Sequence, residues 1–86
     1  MSVIAIDVNN FALGYTVYHY QDSTAQQFMC PTFEDIAEFV PEYCFNNNIS
    51  KVLINGAPEF AHELATMIYR NNFANYAERN LEIEVI

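Results

Sequence analysis

Basic residues are scarce in this chain. Its 86 residues include 3 Lys and Arg against 11 Asp and Glu, which gives a formal net charge of -8. A chain with this balance repels phosphate, so the composition argues against a general nucleic-acid-binding surface. A cation, a basic protein surface or simple solubility explains the acids better, and direct nucleic-acid binding is not expected.

Cysteines, histidines and long apolar runs are also few. Cys30 and Cys44 form no CxxC pair and no Cys/His cluster with zinc spacing, so we expect free buried thiols, with one disulfide as the alternative. His19 and His62 are far apart in sequence and are interpreted as structural or surface residues. No apolar segment approaches the ~20 residues that span a bilayer, and no signal peptide is evident. We therefore expect a soluble, intracellular, cytoplasmic protein that does not contact membranes.

The hydrophobic content is high for so short a chain. We expect one domain, residues 1–86. The composition is 52% hydrophobic and includes 7 Phe and 6 Tyr, which is enough to build a core. A body of this size has difficulty hiding so much apolar material, and we expect part of it to face a partner.

The first part of the chain predicts three strands. Residues 3–8 are apolar and mostly β-branched apart from Asp7, a pattern typical of a strand buried on both faces. Turns at Asn9-Asn10 and at residues 21–24 separate this strand from those predicted over residues 13–20 and 25–30. Strands joined so closely must be antiparallel neighbours.

A helix is predicted to follow Pro31. Thr32 is a suitable N-cap because Asp35 lies three residues later. Apolar residues then recur at helical spacing until Asn46-Asn47-Asn48 ends the helix. Pro41 lies inside this pattern and predicts a kink or a restart, because proline removes one backbone hydrogen bond and clashes with the preceding turn.

The last part of the chain predicts strand, helix and strand. Lys51–Asn55 is a short apolar strand, and Pro58 suits the first turn of a helix that runs to about Arg79, with a break near Asn71-Asn72 as the alternative. The apolar face of this helix is predicted to comprise Phe60, Ala61, Leu64, Ala65, Met67 and Ile68. Residues 81–86 alternate between apolar and acidic side chains, which indicates a strand covered on one side only.

These elements predict an α/β fold with the order β-β-β-α-β-α-β. The first three strands form a meander, and right-handed crossovers place the fourth strand beside the first and the fifth outside it. The expected result is a five-stranded mixed sheet with the order 3-2-1-4-5 and both helices on one face.

This order resembles the core of the ribonuclease-H-like superfamily, and the opening residues resemble RuvC-type resolvases. Proteins of that type begin with an apolar strand that ends in a catalytic Asp, followed by a turn and then Gly-Tyr. Here Ile4-Ala5-Ile6-Asp7 and Gly14-Tyr15 stand at matching spacing. The family usually has Pro-Gly after the Asp, where this chain has Val8-Asn9.

The resemblance implies a divalent-metal-dependent nuclease that acts on branched DNA, with Mg²⁺ or Mn²⁺ held at Asp7 and Asn55. Asn55 stands where the family has a second acid, and the helix that carries the remaining acids has no counterpart before Ile86. One acid cannot hold two cations, so we expect no enzymatic activity and no cofactor. Val8-Asn9-Asn10 also supplies no Gly-rich phosphate turn like that of the ATPases with this fold.

The resemblance has a second implication. In that superfamily a third helix normally covers the other sheet face, and we expect no such helix here. That face is expected to carry Thr16, Tyr18, Tyr20 and Leu53 together with Val3, Ala5 and Asp7. Such a surface favours association, since Tyr offers a large contact area with a polar tip.

We therefore expect a non-enzymatic interaction or assembly domain that binds a copy of itself or another protein through this face. Such a domain suits a phage or mobile-element accessory protein. The nuclease is the first alternative, and an acidic DNA mimic is the second. The acids stand singly or in pairs in the sequence, which places the mimic last.

Overall fold

The predicted elements occur in the predicted order. A computed structural model describes residues 2–9, 14–77 and 79–86 of the chain. Within these ranges the elements are β1 (Ser2–Asp7), β2 (Tyr15–Gln21), β3 (Thr24–Cys30), α1 (Phe33–Asn47), β4 (Lys51–Asn55), α2 (Pro58–Asn75) and β5 (Glu82–Val85). The predicted turn at Asn10 and the predicted start of the second strand at Leu13 lie outside the described residues.

The strands form one mixed sheet with the order β3-β2-β1-β4-β5. β1 pairs antiparallel with β2 and parallel with β4, while β4 pairs parallel with β5. This arrangement confirms the predicted sheet and matches the topology of the ribonuclease-H-like core.

One face of the sheet is covered by both helices. Alternate residues of the central strands point to this face, and Ile4, Ile6 and Ile54 are at most 1% exposed. The helices contribute buried residues to the same cluster, and these are Ile36, Ala37, Val40 and Cys44 from α1 and Ala61, Leu64 and Ile68 from α2. The core is therefore a single layer between the sheet and the helix pair, and we call this side the covered face.

Local sequence explains where α1 begins and ends. The Thr32 hydroxyl accepts the Asp35 backbone N–H at 3.1 Å, as an N-cap should. Asn48 adopts the left-handed conformation with φ 55°, which Asn tolerates well at a helix end. The predicted kink or restart at Pro41 does not divide the helix, since α1 continues through it and the proline ring is fully buried.

α2 differs from its prediction in length and in its buried stripe. It ends at Asn75 rather than near Arg79, and it is not interrupted before that point. Phe60, predicted to be on the apolar face, is 51% exposed, whereas its neighbour Ala61 is fully buried. Successive residues of an α-helix point about 100° apart, so a helix that buries Ala61 leaves Phe60 facing outward.

Arg79 fastens the segment after α2 to the end of α1. Its guanidinium donates to the Asn48 side chain at 2.8 Å and to the backbone carbonyls of Ile49 at 2.6 Å and Cys44 at 3.3 Å. The buried Asn72 amide donates to the Arg79 carbonyl at 3.2 Å and so holds the backbone at Arg79 against α2. This contact holds the two helices of the covered face together at one end.

The carboxyl end of β4 comes very close to β1. Gly56 has φ 152°, and a Cβ at this position would collide with the Val8 side chain. Glycine is therefore required here for both its backbone angle and its lack of a side chain. The close approach brings the ends of β1 and β4 together.

None of the helices in the described part of the chain is long and apolar enough to cross a membrane.

Candidate functional site

The carboxyl ends of β1 and β4 are the first candidate site. The two strands are parallel neighbours in a register that pairs Asp7 with Asn55. The residues named by the resemblance to RuvC-type nucleases are therefore adjacent. Asp7 is half-buried and Asn55 is exposed, so both are open to solvent at the edge of the molecule.

Hydrogen bonds at this end of the sheet are local and structural. Asp7 Oδ1 accepts the backbone N–H of Asn9 at 2.9 Å, which is an Asx turn. Asn9 Oδ1 in turn accepts the backbone N–H of Ala57 at 3.2 Å. The Val8 N–H donates to the Asn55 carbonyl at 2.9 Å. These bonds explain Asp7 and Asn9 as residues that shape the exit of β1 and tie it to the start of α2.

The donor set at Asp7 is poor for a metal ion. Among residues 2–9, 14–77 and 79–86 there is no group of three or more His, Cys, Asp or Glu side chains that could hold a cation. Glu59, the nearest acid after β4 in sequence, lies in the first turn of α2, where a carboxylate favours the positive helix end. A two-metal phosphodiesterase needs several carboxylates around its ions, and the described residues supply Asp7 alone at this position.

The second candidate site is the sheet face opposite the helices, which we call the bare face. Strand register places its predicted members side by side, since Ala5 lies opposite Tyr18 on one side and Leu53 on the other. Asp7 lies opposite Thr16, and Val3 lies opposite Tyr20. The sequence prediction of which residues share this face is therefore confirmed by the register.

Aromatic and aliphatic side chains form the middle of the bare face. The rings of Tyr18 and Tyr20 stack with centroids 5.7 Å apart, and Tyr20 is 43% exposed. Met29 of β3, which pairs with Thr16, is 54% exposed. Val3, Ala5 and Leu53 are only half-buried. The apolar surface thus extends across four adjacent strands.

Charge on the bare face is limited and lies at its rim. Lys51 forms an ion pair with Glu84 at 3.6 Å, and Glu82 pairs with Lys51 in the strand register. Asp7 is at the opposite end of the neighbouring strand. Most other acids of the described residues lie on the helices, at Glu34, Asp35, Glu38, Glu42, Glu59 and Glu63. The helical layer is therefore the strongly acidic side of the molecule.

A second apolar area lies on the outer side of α2, and sequence analysis missed it. Phe73 is 65% exposed, and its ring stacks on that of Tyr69 with centroids 6.4 Å apart. Both rings border a groove of about 260 Å³ that reaches Leu81. These rings lie along one helix, whereas the bare face spans several strands.

His19 is buried in a hydrogen-bond chain that sequence analysis did not predict. Its Nδ1 lies 2.7 Å from the Tyr43 hydroxyl, and its Nε2 lies 2.8 Å from the Ser2 hydroxyl. Tyr43 donates to the Gln26 side chain at 3.1 Å. Because the Tyr43 hydroxyl gives its hydrogen to Gln26, its oxygen accepts the hydrogen on Nδ1 of His19. Nε2 of His19 is then the unprotonated nitrogen, and it accepts from the Ser2 hydroxyl. The only sequence signal was that His19 alternates with buried Val17 in β2.

Both cysteine side chains are free, as predicted. Burial raises the pKa of the Cys44 thiol to about 12, and the nearby Arg79 guanidinium only partly opposes this. Burial also raises the pKa of Cys30, and the Asp35 carboxylate adds to the effect. A thiol with a raised pKa stays protonated near neutral pH and is a poor nucleophile. His19 binds Ser2 and Tyr43, so no Cys–His pair forms with it.

Comparison of the chain with models of known families, with curated proteins and with solved structures finds no significant match. The interpretation of the chain therefore depends on its topology and on the two candidate sites.

Proposed function

We propose that this chain is a non-enzymatic assembly domain that associates with a second copy of itself through the bare face. The main observation that supports this proposal is the row of aromatic and aliphatic side chains that crosses β3, β2, β1 and β4 on the side away from the helices. Tyr and Met are side chains that interfaces favour. Stacking such a face against another sheet is the standard way to bury it.

The distribution of charge supports a second copy as the partner. The chain carries a formal net charge of -8, so two copies repel each other unless their acids point apart. A contact between bare faces directs the acidic helical layers outward. Lys51, one of only 3 basic residues, lies at the rim of this face and offers an opposite charge to acids of the other copy.

The size of the face predicts weak association. Five strands spaced ~4.8 Å apart, about six residues long at ~3.3 Å per residue, give a surface of roughly 400–500 Å². A standard protein interface buries about 800 Å² per partner. We therefore expect a reversible, concentration-dependent complex rather than an obligate one.

Light scattering on the purified chain over a wide micromolar range tests the proposal. We expect the average mass to rise with concentration and to be halved in Tyr18→Glu, which places a charge in the middle of the bare face. Tyr69→Glu is the matched control, because it makes the same substitution at an exposed position on α2. A wild-type chain that stays monomeric, or an equal response of both variants, contradicts the proposal.

The nuclease alternative has one observation in its favour, which is the pairing of Asp7 with Asn55 at the carboxyl ends of two parallel strands. It requires bound Mg²⁺ or Mn²⁺ and further ligands. The Asx turn at Asp7 explains that residue without a metal, and we rank the nuclease second.

The DNA-mimic alternative depends on α1, where Glu34, Glu38 and Glu42 are four residues apart. Helical geometry places them in one row, about 6 Å from each other. Duplex DNA carries one charge per ~1.7 Å of axis on two strands. A single row of three acids reproduces little of that pattern, so this alternative stays third.

A further inference from the structure

The two edge strands of the sheet differ in how they are protected. β5 has only four residues, and two of them are the acids Glu82 and Glu84. β3 has seven residues, Thr-Ala-Gln-Gln-Phe-Met-Cys, with no charged residue and no proline. Proteins usually blunt an open edge with charge, proline or short length, because its free backbone groups pair with other strands. β3 has none of these features. The chain has 14 charged residues, 3 basic and 11 acidic, and none of them lies in this strand.

The β2–β3 hairpin shows which backbone groups of β3 point away from the sheet. Gln21 and Thr24 flank a two-residue turn, in which Asp22 has φ 56°. The residues that flank such a turn form a hydrogen-bonded pair, and bonded and non-bonded pairs then alternate along the ladder. Ala25, Gln27 and Met29 are consequently the residues whose N–H and C=O groups face outward. In the described part of the sheet no strand lies on that side of β3.

We infer that β3 is a second self-association surface, where two copies pair antiparallel about a two-fold axis perpendicular to the sheet. The axis passes midway between the two copies of Gln27, which lie opposite each other, and Ala25 lies opposite Met29 of the other copy. The pairing uses the backbone edge of β3, whereas the other contact uses the bare face, on which the side chains of Ala25, Gln27 and Met29 also lie. Either contact can form without the other.

The side chains at this edge are self-complementary. In the proposed register each small Ala25 faces a large Met29, and the two Gln27 amides meet and can donate to and accept from each other. None of these three residues carries a charge, so the two strands meet without like-charge repulsion between opposite residues. Strand addition of this kind is driven by main-chain hydrogen bonds, and side chains on alternate positions provide the specificity.

Edge pairing also enlarges the bare face. A two-fold axis perpendicular to the sheet keeps equivalent faces on the same side, so the product is a ten-stranded sheet with four helices on one side. Its uninterrupted bare face has twice the area of a single copy. If both contacts form, their axes differ, and the closed assembly is a tetramer rather than a dimer.

Residue-resolved amide hydrogen exchange on the full chain is the first test. At low concentration the amides of Ala25, Gln27 and Met29 should exchange quickly, while those of Gln26, Phe28 and Cys30 are protected by β2. At high concentration the first three should become protected by at least about tenfold, with no change in the other three. Fast exchange at 25, 27 and 29 under conditions where light scattering shows an oligomer would overturn the inference.

Two substitutions at Gln27 provide the second test. Gln27→Pro removes an outward N–H that β2 does not use, and an edge strand tolerates proline at such a position. Gln27→Lys keeps the N–H but places two like charges opposite each other at the axis. Both variants should lose the protection at 25 and 29 and halve the average mass. Gln21→Lys, an identical charge change at the exposed hairpin end, should retain both properties.

The two proposals fail in different ways. If only the edge pairing is wrong, Gln27→Pro keeps the wild-type mass while Tyr18→Glu halves it. If only the bare-face contact is wrong, Tyr18→Glu keeps the mass and the protection at Ala25, Gln27 and Met29 persists. If circular dichroism shows that the Gln27→Lys chain is folded and it still forms the wild-type oligomer, the edge pairing is contradicted.

Discussion

The two faces of the sheet are made by alternate residues of the same strands. On the covered face Ile4, Ile6 and Ile54 are almost completely buried beneath two helices. One residue away along the same strands, Ala5 and Leu53 are only half-buried. The difference shows that the helices use one set of residues for folding, which leaves the other set available for association. Substitutions at neighbouring positions should therefore separate stability from assembly.

The largest contrast is expected between neighbouring residues of β4. Ile54→Ala should destabilise the fold by about 3 kcal/mol, because it opens a cavity in the core. Leu53→Ala on the bare face should cost only about 1 kcal/mol, since its side chain already contacts solvent. Urea unfolding of dilute protein measures both. Equal losses would mean that the bare face is as important to the monomer as the core.

A smaller loss of stability is expected at the Arg79 contact, which joins the segment after α2 to the end of α1. Arg79→Ala should cost about 2 kcal/mol, because the part-buried carbonyls of Cys44 and Ile49 lose a charged donor. Arg70→Ala removes the same charge from an exposed position on α2 and should change stability by less than about 0.5 kcal/mol. Thermal or urea unfolding compares the pair. Similar values for both would show that the Arg79 hydrogen bonds contribute little.

The dependence of stability on alkaline pH tests the burial of Cys44 in the covered face. The pKa of Cys44 is about 12 in the folded chain against an ordinary value of 9.0, so above pH 9 the unfolded chain releases a proton that the folded chain keeps. The contribution of Cys44 to the free energy of unfolding is fully present below about pH 9. It falls as the pH rises above about 9, at up to about 1.4 kcal/mol per pH unit. Between about pH 8 and pH 10, Cys44→Ala should lose about 1 kcal/mol less stability than the wild type.

This measurement needs only urea unfolding of the two chains at both pH values. Burial and the nearby Cys44 both raise the pKa of Tyr43, so the difference between the two chains includes the effect of Cys44 on Tyr43. Groups that do not interact with Cys44 are common to both proteins and cancel. Parallel pH profiles would mean that the thiol is not held protonated by burial.

The smallest effect is expected on the bare face at Asp7. Asp7→Asn retains an oxygen that can accept the Asn9 N–H, so stability should change by no more than about 0.5 kcal/mol. Calorimetric titration with Mn²⁺ should give the same negligible signal for both proteins. Binding of Mn²⁺ by the wild type alone, with cleavage of a branched DNA that the variant cannot perform, would favour the nuclease instead.

Period-two patterns predicted the sheet well. The alternation in β5 assigned Ile83 and Val85 to the covered side, and the register confirms it. Element order and the handedness of crossovers then gave the strand order, because few arrangements satisfy both. The members of the bare face followed from this, since each strand shows its two residue sets to opposite sides.

Long-range side-chain contacts were not predictable in this way. Arg79 reaches Asn48, and His19 reaches Tyr43, across stretches that contain whole elements. Nothing in the local pattern indicates such partners. The exposure of Phe60 was missed for a related reason, because the prediction placed both Phe60 and Ala61 on the apolar face of the helix. In the structure Ala61 is fully buried and Phe60 is exposed.

The position of β1 has a consequence for the order in which the chain folds. Its antiparallel partner β2 follows at once in sequence, whereas its parallel pairing joins Ile4 to Val52 across β2, β3 and α1. Closing that long loop costs entropy before the new contacts repay it. We expect the β1–β2–β3 meander to form early, in the transition state, and β4, β5 and the Arg79 contact to form late. Arg79 should therefore govern how fast the chain unfolds far more than how fast it folds.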